Sequence, residues 1–176
     1  MVDYKKMSNI IKEATTEKNQ LLEKMCTIML STTDSTGIPN SSYAPSIMHN
    51  GSFYIFISEL SKHTKNLTDQ PFNSFMVIED EKAAANIFAR KRLTFKSKAR
   101  KIEREDSEWN SKITLLEDKF ETIAYLKNMG DFHLFELKPS EGLLVYGFGK
   151  AFRLTGPNLD QINHMNDQGH KEKKHG

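Results

Sequence analysis

The chain has 176 residues, 38% of them apolar and 10% aromatic, enough to fill one core and too few for two independent domains. No apolar run approaches the ~20 residues that span a bilayer, and MVDYKKMSNIIKEATTEK lacks the apolar stretch and cleavage site of a secretory leader. A cytoplasmic protein outside the membrane is therefore expected. With 25 basic residues, 23 acidic ones and one cysteine, an internal disulfide is excluded and nucleic acid is not favoured as a partner.

From Lys5 to Met25 the apolar residues Met7, Ile10, Ile11, Ala14, Leu21, Leu22 and Met25 recur at helical spacing, which predicts an amphipathic first helix. The next stretch reads as sheet: CTIMLST, a turn at DSTG, a strand IPNSSYAPSIMH, then Asn50-Gly51, then SFYIFI. Asn-Gly between two β-prone runs supplies the positive φ angles of a two-residue hairpin. SELSKHTKNLTDQ is predicted as a short helix capped by Ser58 or Ser61 and stopped by Pro71, and SFMVIED returns to sheet. ANIFARKRLTFKSKARKIE is mostly a long basic strand. After it, Trp109, Ile113, Leu116, Phe120 and Ile123 are spaced as one helical stripe, and Gly130 is placed to end that helix in a left-handed conformation. DFHLFEL and EGLLVYGFGKAFRLTG alternate with period two and are joined by the turn-prone KPSEG. About six antiparallel strands with a few helices predict a mainly β, α+β barrel, closed to remove its edges and flanked by helices.

In the basic strand, Arg90, Arg92, Lys96, Lys98 and Arg100 alternate onto one face, with Thr94 among them. Such a row is either a charged outer face that resists edge pairing or an anion site, for which the planar forks of Arg90 and Arg92 suit a carboxylate or phosphate best. Phe95 is the one aromatic nearby, too little for a base-stacking platform. His63 is either a surface residue of the short helix or a functional imidazole. His133 shares a strand face with Asp131, both as polar groups of the core or barrel lining. Gly147 and Gly149 bare one strand face, for a flat ligand or for close packing. Cys26, beside TIML, reads as a small apolar strand residue, and no zinc, Ser/His/Asp or phosphate-loop motif occurs. After Gly156-Pro157 the chain is too polar for a core of its own, yet it carries His164, His170 and His175, and imidazole is the commonest metal ligand. The expected division is a domain at 1–156 and a C-terminal arm at 157–176.

LSKHTKNL, ARKRLTF, GDFHLFEL, GLLVYGFGKAFRLTG and the closing GH, in this order over nearly the whole chain, resemble the HugZ/HutZ haem-utilisation proteins, members of the pyridoxamine-phosphate-oxidase-like split β-barrels. The resemblance implies an antiparallel split barrel with a haem-ligating arm and a homodimer that holds haem between protomers. It also implies oxygen-dependent opening of the haem ring to a biliverdin-type product, with release of iron and carbon monoxide and electrons from an unidentified donor. On this resemblance His170 is the axial iron ligand, with His164 and His175 as fallbacks, and Asp131 is the carboxylate behind it, acting across the dimer interface. Arg92, with Arg90 beside it, meets the haem propionates, and His63 and Thr27 lie close to the pocket. Two other readings share the barrel: a flavin oxidoreductase whose basic strand holds the FMN phosphate, and a haem carrier or store that uses the same ligands without turnover.

Overall fold

The structure, a computed structural model, describes residues 4–165. Helix α1 (Tyr4–Lys24) follows the apolar spacing and buries Ala14 and Leu21. Strand β1 (Thr27–Thr33) then sends Ile28, Leu30 and Thr32 inward and leaves Thr27, Met29 and Ser31 outside. The segment read as one strand, IPNSSYAPSIMH, is two: β2 (Pro39–Pro45) pairs with β1, whereas β3 (Ile47–His49) pairs with β4 (Ser52–Ser58). The buried Ser46 sits at the switch, where its N–H donates to the Cys26 carbonyl and its hydroxyl donates to the Tyr54 carbonyl at 3.1 Å. Polar groups freed by the broken ladder are thereby satisfied. The Asn50-Gly51 turn forms as its sequence predicts, with φ of 51° and 75°.

Next come α2 (Lys62–Asp69), with Ser61 at its N-cap, and β5 (Phe72–Ile78). Two short helical turns, Glu81–Ala83 and Ile87–Ala89, lead into β6 (Arg92–Ile102). Helices α3 (Trp109–Lys119) and α4 (Ile123–Leu126) precede β7 (Phe132–Val145), β8 (Ala151–Thr155) and β9 (Gln161–His164). All pairings are antiparallel, in the order β2-β1-β5-β6-β7-β4-β3, with β8 and β9 continuing from β7. Because β2 and β3 are halves of one segment, the chain itself joins the two ends of this path at Ser46. The sheet curls into a barrel that is split beyond that point, since no ladder joins β2 to β4.

Two cores hold this shape. Inside the barrel, Phe53, Phe75 and Phe95 meet with ring centroids 4.7–5.1 Å apart, within the range where aromatic pairs add to their area burial. Outside it, Trp109, Ile113, Leu116 and Ile123 pack on Tyr54, Phe56, Ile102 and Leu134. Strand β4 is therefore buried on both faces, and the Trp109 stripe is spent inside the protomer.

Several expectations are corrected. Among the described residues nine strands form, against about six expected. The helix read through Ile123 breaks at Phe120, α4 carries its stripe on, and Gly130 lacks the left-handed conformation expected of it. KPSEG is no turn: β7 runs straight through it, with a bulge opposite Lys96 and Ser97. Pro139 is tolerated there because β4 flanks β7 only to Leu137 and β8 only from Gly142, so one side of the ladder is open. Gly147 and Gly149 lie in the β7–β8 turn, with Gly149 at φ 70°, and bare no strand face. Arg90 precedes β6 and is not part of its outer row. The sheet also continues past residue 156, because β9 pairs with β8.

Candidate functional site

The split in the barrel wall holds a cavity of about 460 Å³ between β2 and β4, beneath α2, lined by Ser42, Tyr43, Phe56, Ser58, His63 and Phe132 among others. Helix α2 turns His63, Thr64, Asn66 and Leu67 inward. Leu67 enters the barrel core, Asn66 Nδ2 donates to Thr32 Oγ1 at 2.9 Å, and Thr64 Oγ1 donates to the Ser58 carbonyl at 2.5 Å. Three anchors therefore fix the helix that carries His63, which is 7% exposed. Its Nδ1 lies 2.9 Å from Ser42 Oγ, and its buried Nε2 has no protein partner. Burial holds the imidazole below its ordinary titration range, which keeps it neutral.

Asp131, in the turn before β7, is bonded to Ser58, which lines this cavity. Its carbonyl accepts the Glu59 N–H at 2.8 Å and its Oδ2 accepts the Ser58 hydroxyl at 3.0 Å. The Arg104 guanidinium holds this turn from behind, donating to the carbonyls of Lys127 (2.7 Å), Met129 (2.5 Å) and Phe132 (3.4 Å) while lying over the Trp109 ring. Asp131 and His133 share no strand face, because β7 begins at Phe132. His133 is tied to Glu59 at 2.5 Å instead.

Thr27 and Arg92 belong to the outer face of the sheet. There Met29 pairs with Tyr43 and Met76, and Met76 continues through Thr94 to Leu143, an apolar row across five strands. Tyr43, Met29 and Leu143 are 64%, 50% and 38% exposed in this single chain. One step along each strand, on the same face, lie Thr27 opposite Pro45 and Arg92 between Ile78 and Val145. Tyr43 and Pro45 also line the His63 cavity. The outer face that carries Thr27 and Arg92 thus shares Tyr43 and Pro45 with the cavity that His63 lines.

The rest of the cationic row is largely paired, with Arg100 between Glu108 and Glu136 and Lys96 facing Glu141. Arg90 donates twice to the Glu79 carbonyl and once to Glu81, so its fork closes the 79–90 loop. Arg92 donates to the Arg90 carbonyl at 3.0 Å and meets no carboxylate among the described residues. His164 is built into β9, stacked on Phe152 at 4.6 Å, with Nε2 2.8 Å from the Gly149 carbonyl and Nδ1 buried. His170 and His175 lie outside the described residues. Ser42, Ser58 and Arg104, which orient His63 and Asp131, are new to the site. Their partners are 21 to 73 residues away for the two serines, and no local motif marks them.

An antiparallel barrel open along one wall, with a helix across the opening, defines the split-barrel class that serves flavin and haem proteins alike. The chain belongs to the pyridoxamine 5'-phosphate oxidase family, whose model matches residues 14–146, and within it to the HugZ/HutZ haem-utilisation proteins. It is 38% identical to the haem oxygenase HutZ of Vibrio cholerae over 91% of both chains. A solved structure of Vibrio cholerae HutZ, named there a haem storage protein, superposes with a TM-score of 0.72 at 36% identity, over 75% of this chain and 95% of that one. Campylobacter jejuni ChuZ superposes with a TM-score of 0.82 at 30% identity, over 92% of this chain and 66% of that one. Among the described residues no helix is long and apolar enough to cross a membrane.

Proposed function

We propose that the chain binds haem between two copies of itself and opens the ring with oxygen to a biliverdin-type product, releasing iron and carbon monoxide. The observation that carries this reading is the near-full-length similarity to a protein named haem oxygenase. The residues present fit the ligand. Haem is a flat apolar ring with two carboxylates, and the outer face offers Met29, Tyr43, Met76 and Leu143 bordered by the guanidinium of Arg92, which meets no carboxylate among the described residues. The adjoining cavity adds an imidazole nitrogen with no protein partner.

When bound, haem supplies the iron at which oxygen is activated and is itself the ring oxidised. The protein's own groups have separate tasks. Arg92 binds a propionate through the N–H groups not given to the Arg90 carbonyl. His170 ligates the iron. Asp131 Oδ2 is occupied by Ser58, and Oδ1 has no donor among the described residues. That oxygen would be the acceptor for the ring N–H of His170 across the dimer interface, an acceptor that would fix the tautomer of the imidazole and strengthen its donation. His63 lends a neutral acceptor to the cavity, and the apolar row excludes water between the two copies. A cytoplasmic location and an unidentified electron donor complete the proposal.

The deciding experiment titrates the purified protein with haemin, then adds reductant and oxygen. Loss of the Soret band with release of carbon monoxide is the expected result. A stable Soret band under those conditions replaces the oxygenase reading by the store that the name of the solved Vibrio cholerae structure favours. Absence of a Soret band together with tight FMN binding selects the flavin reading.

A further inference from the structure

We infer that Ser42 sets the chemical role of His63, holding it as the Nδ1–H tautomer so that Nε2 enters the cavity region as a lone-pair acceptor. This rests on reading the cavity as part of the haem site. Ser42 has one hydroxyl proton, and the Leu30 carbonyl, 3.4 Å from its oxygen, offers that proton an acceptor other than His63. With the proton given there, the contact at 2.9 Å between Ser42 Oγ and His63 Nδ1 has the ring as donor. In neutral imidazole the other nitrogen is unprotonated.

The opposite tautomer has a cost that this one lacks. With the proton on Nε2, an N–H would be buried without a partner, since that atom is enclosed and touches no acceptor. Orphaned buried donors are rarer than under-used acceptors. The relay also depends on the split: Ser42 is on β2, whose edge carries no neighbouring strand on that side, so α2 can lay a ring against it. The chain Leu30 carbonyl, Ser42 hydroxyl, His63 ring crosses from β1 through β2 to α2. It ends on a nitrogen that gives no hydrogen bond and accepts one only as the enclosing side chains give way. Ser42 is a positioning residue, acting only through His63.

Long-range proton–nitrogen correlation spectra of the haem-free protein test this, with His63 assigned by its loss in His63→Gln. In the wild type at neutral pH, Nδ1 is expected as the protonated nitrogen and Nε2 as the lone-pair nitrogen. In Ser42→Ala the two shifts converge as the tautomers mix, and Ser42→Thr, which keeps the hydroxyl, restores the wild-type pattern. A wild-type spectrum with the proton on Nε2, or an unchanged Ser42→Ala spectrum, overturns the inference, and the first reading requires no variant to fold. With haemin, reductant and oxygen, Ser42→Ala is expected to lose on the order of tenfold in turnover, recovered by Ser42→Thr. Equal turnover despite a mixed tautomer overturns the role assigned to the lone pair. If haemin gives no Soret band, the haem reading fails while the tautomer result stands.

Discussion

If two copies pair through the outer face as proposed, replacing Met29 with Glu is expected to split the pair and take haem binding with it. Met29 lies in the apolar row between Tyr43 and Met76, and half of its surface is exposed in the single chain. Covering that half contributes ~1 kcal/mol, half of the ~2 kcal/mol for a whole methionine side chain. In a two-fold interface the same residue counts from both copies, giving ~2 kcal/mol. A carboxylate forced into the covered position adds a desolvation cost of at least the same size. The total of ~4 kcal/mol weakens association by about 10³-fold. Within one chain the site faces solvent, so folding should be affected by no more than ~0.5 kcal/mol. Sedimentation equilibrium at micromolar concentration measures the first effect, far-UV circular dichroism the second, and a haemin titration the third. A Met29→Glu protein that sediments like the wild type refutes the assignment of this face to a second copy. Dissociation to monomers that keep full haem affinity refutes the placing of haem between copies.

Other outcomes follow from the same geometry. His170→Ala should change the haem spectrum and lower haem affinity, whereas Asp131→Asn should slow turnover more than it weakens binding; equal turnover by both Asp131 forms removes its role. Folded His63 resists protonation because it is buried, with Tyr43 and Lys62 the other titratable groups lining its cavity. The stability it permits is fully present above about pH 6.5, the unfolded imidazole value, and is lost as the pH falls through the lower folded value. Urea midpoints should therefore decline over that window in the wild type and less so in His63→Gln; parallel declines refute the assignment. Arg104→Ala removes three exposed carbonyl hydrogen bonds and the contact with Trp109, which should cost ~2 kcal/mol. Amide exchange would then accelerate at 127–132, and unchanged exchange there would show that Arg104 does not hold the Asp131 turn.

What the sequence disclosed follows the range of the forces involved. The Asn50-Gly51 hairpin, helix α1 and the alternation of β6 depend on neighbours within a few residues, and each is legible by eye. The break at Ser46 is not, because IPNSSYAPSIMH has unbroken β character and only the pairing of its halves with different strands parts them. KPSEG misleads for the converse reason. Its Pro and Gly advertise a turn, but the open side of β7 between β4 and β8 lets the strand absorb them. In the site, Thr27 and the role of Asp131 rest on the resemblance alone, whereas Arg92 and His63 are also singled out by the basic strand and the short helix. Arg90 seemed equivalent to Arg92 by alternation alone, yet its fork closes a loop whose course no spacing rule announces.

The break at Ser46 and the chemistry of the site have one origin. A strand that ran unbroken from Pro39 to His49 would have to pair with β1 and β4 along its whole length, and the closed ladder would leave α2 outside. Switching partners after Pro45 ends the β3–β4 ladder at Tyr54 and leaves the far ends of β2 and β4 facing each other without a ladder. Edges of that kind carry unpaired polar groups and invite foreign strands. Here α2 covers them, and two side chains from the facing edges turn the opening to use: Ser42 orients His63 and Ser58 holds Asp131. An imidazole that lines a gap of about 460 Å³, and a carboxylate bonded to Ser58 of its lining, are thereby fixed next to the apolar outer face. Flavin and haem proteins can share such a barrel because the split supplies shelter and edges, whereas the side chains on α2, the Asp131 turn and β6 decide what it shelters.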